Sequence, residues 1–90
     1  MEKSVHTRDY LALRAQLREI RRNAGLSQRD LALQLQVPHS WVAKVENGER
    51  RIDLIEFRWF VSACGADPLT VFESLLRQSK PRGSRRVKGA

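Results

Sequence analysis

The sequence predicts a small all-α domain of five helices, and three observations support this fold class. Apolar residues recur at spacings of three and four, which places them on one face of a helix. No stretch alternates apolar and polar residues over a useful length, so no strand is predicted. Glycine and proline residues end each helical segment, and connections of only a few residues between helices favour a compact packing.

The first helix is predicted to run from Thr7 or Arg8 to Asn23. Its apolar stripe consists of Leu13, Leu17, Ile20 and Ala24. Gly25 follows at the position where a helix commonly ends in a left-handed residue.

The second helix is predicted to begin after Ser27. Ser27 and Asp30 have the spacing of a capping box, in which each side chain binds a free backbone N–H of the first turn. Pro38 prevents this helix from continuing into the next one. The residues expected to face inward are Leu31, Ala32 and Leu35.

The third helix is predicted over Pro38–Asn47, because proline suits a first helical position. Val42 and Val45 form a narrow apolar face, and Gly48 ends the helix. The opposite face is expected to consist of His39, Ser40, Ala43, Lys44 and Asn47.

Two further helices complete the predicted core. Asp53 caps the fourth helix, and Gly65 ends it; its inward side chains are expected to be Leu54, Phe57, Phe60, Val61 and Cys64. Asp67 caps the fifth helix, which should run from Pro68 to about Arg77. Its expected core residues are Val71, Phe72 and Leu75.

The 90 residues carry a net charge of +7, which is unevenly distributed. Five basic residues and no acidic residue lie in the last eleven positions, whereas the first 79 hold twelve basic residues against ten acidic ones. We therefore expect a folded domain over residues 1–78 and a disordered basic tail over residues 79–90. Such a tail suits nucleic acid or another polyanion, or it only improves solubility.

Several classes of site and location are excluded by composition. No run of about 18 apolar residues predicts a membrane span, and the N-terminus lacks the apolar segment of a signal peptide, so a cytoplasmic location is expected. The single Cys64 cannot form an internal disulfide. Neither His6 nor His39 has other ligands spaced around it, so no metal or cofactor is expected.

The stretch Leu26–Gly48 has the features of a helix-turn-helix. It contains the second and third predicted helices of the chain. The second helix is short, so that the third helix can cross it, and Ala32 is small enough for the two backbones to approach. The third helix is apolar only on its inner side, which leaves a polar face for the major groove of DNA. These features point to double-stranded DNA as the ligand.

Four segments of this stretch have a distinctive order and spacing. They are Leu26-Ser27-Gln28, Leu31-Ala32, Val42 and Val45-Glu46-Asn47-Gly48. On these residues the chain resembles the phage-repressor and Cro-like helix-turn-helix proteins, also called the xenobiotic-response-element type. The resemblance covers roughly Leu13 to Leu75 and implies a compact, five-helix, lambda-repressor-like domain that binds operator DNA as a dimer.

The resemblance also implies residue roles. Gln28 would contact a phosphate with the help of the helix N-terminus, and His39 and Ser40 would face base edges. Lys44 would reach a base or a phosphate, since lysine commonly pairs with guanine. Asn47, Arg50 and Arg51 would lie along the DNA backbone. Arg21 and Glu46 would form a structural pair that ties the first helix to the third.

Three positions depart from the family pattern. Gln36 stands where glycine is usual, and a left-handed conformation there costs roughly 1 kcal/mol. Pro38 stands where a hydroxyl residue often caps the third helix. Trp41 replaces a small polar residue. It either presses on a thymine methyl or a sugar-phosphate edge of DNA, or packs against the second helix or its own neighbours.

The fourth and fifth helices carry large apolar residues in addition to those on their inward faces. These extra residues predict an interface with another protein chain. A small monomer seldom exposes a contiguous apolar patch. We expect a homodimer through the fourth and fifth helices, unless Tyr10 and Leu11 fold over the patch. The predicted interface residues are Ile55, Trp59, Leu69 and Leu76.

The function predicted from these observations is a sequence-specific transcription regulator, a repressor that acts as a dimer on a palindromic operator. The alternative is an antitoxin with a toxin as its protein partner, or a restriction-modification controller. RNA binding lacks support, because no aromatic stacking platform accompanies the basic residues. An enzyme is not expected, since no catalytic constellation of side chains is present.

Overall fold

Five helices form the part of the chain that the computed structural model describes, residues 7–78. The predicted basic tail, 79–90, lies outside these residues. The five-helix, all-α fold class is confirmed, because residues 7–78 contain no strand. None of their helices is long and apolar enough to cross a membrane. The helices are α1 (Arg8–Asn23), α2 (Gln28–Leu35), α3 (Trp41–Asn47), α4 (Leu54–Ala63) and α5 (Pro68–Gln78).

Capping residues set the starts of α2 and α4. The Ser27 hydroxyl accepts a hydrogen bond from the Asp30 N–H, while the Asp30 carboxylate accepts one from the Ser27 N–H, both at 3.0 Å. Asp53 and Glu56 form the same reciprocal arrangement at the start of α4. The predicted capping box of α2 is therefore confirmed, and its local hydrogen bonds explain why the helix starts there.

Gln36 ends α2 in the left-handed conformation, with φ 57° and ψ 44°. This is the only non-glycine residue with positive φ among residues 7–78. The next residue, Val37, donates its N–H to the carbonyl of Ala32 at 3.1 Å, which closes the end of the helix. The left-handed turn expected at Gln36 is thus present, without the glycine that usually occupies it.

The predicted start of the third helix was wrong, because α3 begins at Trp41 and not at Pro38. Residues 38–41 form a separate turn, in which the Trp41 N–H donates to the Pro38 carbonyl at 2.9 Å. The first bond of helical spacing runs from the Lys44 N–H to the Ser40 carbonyl. The proline therefore opens a turn, and His39 and Ser40 lie in that turn, before the helix.

The core lies among the helices: α3 packs against α1 and α2, α4 packs against α1 and α2, and α5 packs against α1 and α4. Most inward predictions hold, since Leu17, Leu31, Ala32 and Phe60 are buried. Among residues 7–78, the buried apolar residues are Leu17, Leu31, Ala32, Trp41, Val42, Val45, Phe57, Phe60, Val61 and Val71.

Three predicted core positions were wrong. Ala24 is exposed just beyond the end of α1. Leu54 and Phe72 are 72% and 45% exposed, because both line a groove between α4 and α5 that no segment of residues 7–78 covers. The periodicity placed these two side chains on the correct sides of their helices, but the two helices do not close over them.

Candidate nucleic-acid interface

The outer face of α3 and the turn before it form a continuous polar surface. Val42 and Val45 are fully buried beneath it, so the inner face of α3 is fixed against the core. The side chains of Lys44 and Asn47 are exposed on the helix, and those of His39 and Ser40 are exposed in the turn. This arrangement presents polar side chains outward from a rigid support, as base reading in the major groove requires.

Ser40 precedes α3 but does not cap it with its side chain. Its backbone has φ −84° and ψ −5°, a turn conformation that does not aim the hydroxyl at the free N–H groups of α3. The exposed hydroxyl can therefore hydrogen-bond a group outside the protein.

Glu46, near the C-terminal end of α3, accepts hydrogen bonds from side chains of two other helices. Arg21 of α1 forms a two-pronged pair with it, Nε to Oε2 at 2.7 Å and Nη2 to Oε1 at 3.0 Å. Gln28 of α2 donates its amide to Oε1 at 2.9 Å. The predicted Arg21–Glu46 pair is confirmed, and one carboxylate joins α1, α2 and α3.

This network keeps the Glu46 carboxylate ionised. Burial alone would raise the pKa of Glu46, but the hydrogen bonds from Arg21, Gln28 and Arg18 outweigh burial and hold that pKa below its ordinary value. The hydrogen bond to Glu46 likewise raises the pKa of Arg21. A buried charge is tolerated here because it is paired and hydrogen-bonded.

Two further arginines of α1 contact the end of α3, and sequence reasoning did not predict them. Arg14 donates from Nε to the Glu46 carbonyl at 3.0 Å, and Arg18 reaches the same carbonyl and Asn47 Oδ1, each at 3.4 Å. Their cations lie at the negative end of the helix dipole of α3. The signal was available in the spacing of Arg14, Arg18 and Arg21, which places all three on one face of α1.

Gly48 lets the Arg14 guanidinium approach the end of α3. Gly48 has φ 78°, and a Cβ atom on it would lie 2.7 Å from Arg14 Nη1. Glycine is therefore needed at this position both for its backbone conformation and for space.

Gln28 lies at the first position of α2 and is half-buried. Its side-chain amide is directed at Glu46 rather than away from the protein. The phosphate contact expected of Gln28 stays a prediction, for which the second amide N–H and the backbone N–H groups of the first turn of α2 supply donors.

Trp41 is a core residue, which corrects the expectation that its ring faces DNA. Its side chain is the first of α3 and is only 7% exposed. Since α3 begins at Trp41, the ring turns inward beside Val42 instead of projecting from the outer face. The alternative of packing inside the protein is therefore the correct one.

Arg50 and Arg51 have different environments. Arg50 pairs with Glu56 through both ends of its guanidinium, Nη1 to Oε1 at 3.0 Å and Nη2 to Oε2 at 2.8 Å. Its guanidinium carbon also lies 5.1 Å from the centre of the Trp41 ring. The Arg50 side chain is 38% exposed, and Arg51 is the more exposed residue of the two.

No group of three His, Cys, Asp or Glu residues within positions 7–78 could hold a metal ion. Cys64 is a half-buried free thiol, and burial raises its pKa. A raised pKa disfavours the reactive thiolate, so this cysteine has the character of a packing residue.

Known proteins resemble the chain in sequence and in structure. The sequence profile of a family described as a helix-turn-helix domain matches residues 12–73. Among solved structures, an XRE-family like protein from Pseudomonas syringae pv. tomato str. DC3000 is 40% identical, with a TM-score of 0.79. The similarity covers 86% of this chain and 94% of that chain. No curated protein sequence matches the chain.

Proposed function

The chain belongs to the XRE-type helix-turn-helix family of DNA-binding transcription regulators, and from this premise we propose that it is a repressor that binds a palindromic operator as a homodimer. The observation that carries the proposal is the two-faced nature of α3. Its inner face is buried and tied to α1 and α2 through Glu46, while its outer face consists of exposed polar side chains.

The reading surface consists of His39, Ser40 and Lys44. Lys44 is exposed in the last turn of α3, where its ammonium group can donate to the O6 and N7 acceptors of guanine. His39 and Ser40 precede the helix and face the neighbouring base pairs. Each good base contact contributes roughly 1–3 kcal/mol of discrimination against the wrong base.

The remaining contacts run along the DNA backbone. Gln28 reaches a phosphate at the start of α2, where free N–H groups and the helix dipole favour an anion. Asn47 and Arg51, which are both exposed, contact the sugar-phosphate backbone after α3. These contacts set the position of the domain on DNA without reading sequence.

The surface of α4 and α5 supports homodimer formation. Ile55, Trp59, Leu69 and Leu76 are all exposed, as expected from the sequence, and Leu69 is 75% exposed. Leu54 and Phe72 extend this patch along a groove of about 340 Å³. Tyr10 instead accepts a hydrogen bond from the Ile52 N–H at 2.8 Å, and Leu11 is itself exposed, so neither covers the patch.

Dimer formation would match the protein to its operator. Two copies related by a two-fold axis present two α3 helices to successive major grooves, about 34 Å apart. A palindromic operator repeats the same base pattern at that spacing. Repression then follows when the bound dimer occupies a promoter and excludes polymerase.

The test begins with selection of binding sites from a random duplex library, followed by gel shift on the selected sequence. A double variant, Ser40→Ala with Lys44→Ala, should bind that sequence roughly tenfold to a hundredfold more weakly while its circular dichroism stays helical. The matched control is Ser74→Ala with Arg77→Ala on α5, a helix that contacts α1 and α4. Unchanged affinity in the Ser40/Lys44 variant would contradict the proposed reading surface.

The apolar α4–α5 groove is also the observation that would favour an antitoxin or a restriction-modification controller, because a partner protein could occupy it. Co-expression with the product of the adjacent gene discriminates between these functions. A stable complex that Leu69→Asp abolishes would support an antitoxin. A homodimer in the absence of that product supports a repressor.

A further inference from the structure

Arg50 directs all of its strong side-chain interactions into the protein. Besides the two-pronged pair with Glu56, its Nη1 donates to the Arg51 carbonyl at 2.7 Å. Its guanidinium also stacks near Trp41, 5.1 Å from the ring centre. These bonds use three of the five N–H donors of the guanidinium, although the side chain is 38% exposed. This differs from the role along the DNA backbone that the family resemblance implies.

The partners of Arg50 connect the start of α3 to the start of α4. Trp41 is the first residue of α3, and Glu56 lies in the first turn of α4. Glu56 Oε1 also accepts the Asp53 N–H at 3.0 Å, so the carboxylate is held by the helix cap as well as by Arg50. The hydrogen bond from Arg50 lowers the pKa of Glu56, so the pair stays charged at neutral pH.

The backbone of the segment after α3 strengthens this connection. The N–H groups of Glu49 and Arg50 both donate to the Lys44 carbonyl, at 2.8 and 3.2 Å. Lys44 belongs to the proposed reading surface. The Arg50 region therefore contacts α3 at its first residue through a side chain and at Lys44 through the backbone.

We propose that Arg50 is a positioning residue that sets the orientation of α3 through Trp41 and Glu56, and so contributes to base specificity without touching DNA. This inference rests on the proposed function, namely that α3 reads base pairs. Together with the arginines that hold Glu46 at the other end, Arg50 fixes α3 to the scaffold at both ends. A small rotation of α3 would move Lys44 and Ser40 out of register with the bases.

The first test uses variants that separate charge from geometry. Arg50→Lys keeps the positive charge but loses the two-pronged pair and most of the stacking. A positioning role predicts a fivefold to tenfold lower ratio of specific to non-specific affinity, with an unchanged salt dependence of binding. Glu56→Gln keeps a side chain suited to the helix cap and should lower the ratio similarly.

A direct phosphate contact predicts the opposite pattern. Arg50→Lys would then keep its specificity ratio, and Glu56→Gln would release Arg50 and strengthen binding to all sequences. Arg50→Met would also lower the slope of log affinity against log salt by about 0.9. Arg51→Met, at the exposed neighbour, is the matched comparison for a change in that slope. Any one of the three results named for the Arg50 and Glu56 variants would overturn the positioning role.

A DNA-free measurement separates this inference from the proposed function. In two-dimensional NMR spectra, Arg50→Lys and Glu56→Gln should shift the Trp41 indole signal and the backbone amides of α3, while those of α5 stay in place. Absence of shifts in α3 would overturn the positioning role regardless of DNA binding. Shifts in α3 together with a wild-type protein that binds no duplex specifically would instead overturn the proposed function.

Discussion

At the scale of single residues, Glu46 is the side chain on which most contacts converge. It is completely buried, yet it accepts hydrogen bonds from Arg21, Arg18 and Gln28. A buried carboxylate would be costly alone, and the surrounding donors offset that cost. The net contribution of the Arg21–Glu46 pair to the free energy of unfolding is therefore small. Removing one partner costs more than this contribution, because it leaves a charge buried without its main partner.

Replacing Arg21 should therefore destabilise the domain strongly. We expect Arg21→Met to lower the free energy of unfolding by about 3 kcal/mol, since Glu46 loses its two-pronged partner. The adjacent Arg22→Met is the control, because Arg22 is exposed on α1 and should change stability by no more than about 0.5 kcal/mol. Urea denaturation of both variants measures the difference, and equal stabilities would contradict the role assigned to the pair.

Stability should also depend on pH through Glu46. The pKa of Glu46 in the folded protein is below the ordinary value of 4.5, so the fold stabilises the ionised carboxylate relative to the protonated form. The resulting stabilisation is complete above about pH 4.5 and is lost as the pH falls through the folded pKa. Glu46→Gln should have a lower free energy of unfolding at pH 7 and lose less on acidification.

Urea denaturation between pH 7 and pH 3 measures this effect. Glu73→Gln is the control, because Glu73 is exposed and its pair with Arg77 is long, at 3.5 Å. The explanation fails if Glu46→Gln and the wild type lose the same free energy of unfolding on acidification.

At the scale of the helices, the sequence predicts where elements end better than where α3 begins. Capping residues and glycines act locally, so Ser27, Asp53 and Gly48 are readable from the sequence alone. The start of α3 depends on whether Pro38 opens a helix or a turn, and both are compatible with proline. The predicted start was three residues too early. This error also left the environment of Trp41 undecided in the sequence, whereas the structure shows that Trp41 is buried.

The left-handed end of α2 offers a test of backbone strain. Gln36→Gly should raise the free energy of unfolding by about 0.5 kcal/mol, because glycine adopts this conformation without steric cost. Gln34→Gly, in the same helix and also exposed, should lower it by about 1 kcal/mol, because glycine weakens a helix interior. Thermal denaturation distinguishes the two, and a destabilised Gln36→Gly variant would contradict the strain argument.

At the scale of the whole molecule, the helical core was predictable from periodicity, whereas most polar contacts between elements were not. The Arg21–Glu46 pair was the exception, and it was expected from the family resemblance. Periodicity identifies Leu17, Leu31, Val42 and Phe60 as inward because each helix reports its own apolar face. It cannot tell whether two helices close over a side chain, so Leu54 and Phe72 were placed in the core. The Arg50–Glu56 contact depends on how the connection between α3 and α4 folds, and periodicity carries no information about that connection.

The exposed α4–α5 patch predicts the state of assembly. We expect the protein to sediment as a dimer at micromolar concentration and Trp59→Asp to sediment as a monomer, because a charge on this apolar surface opposes its burial. Ala15→Asp, at an exposed position on α1, is the control and should remain a dimer. A wild-type protein that is monomeric under these conditions would contradict the proposed interface.

The anchoring of α3 has an evolutionary consequence. Within residues 7–78, none of the side chains that hold α3 in place belongs to the proposed reading surface. They are Arg14, Arg18, Arg21, Gln28, Trp41, Val42, Val45, Glu46 and Arg50. Substitutions at His39, Ser40 and Lys44 can therefore accumulate without loss of fold. New operators become accessible by change at a few surface positions, so related copies of such a gene could diverge in their targets while sharing one scaffold.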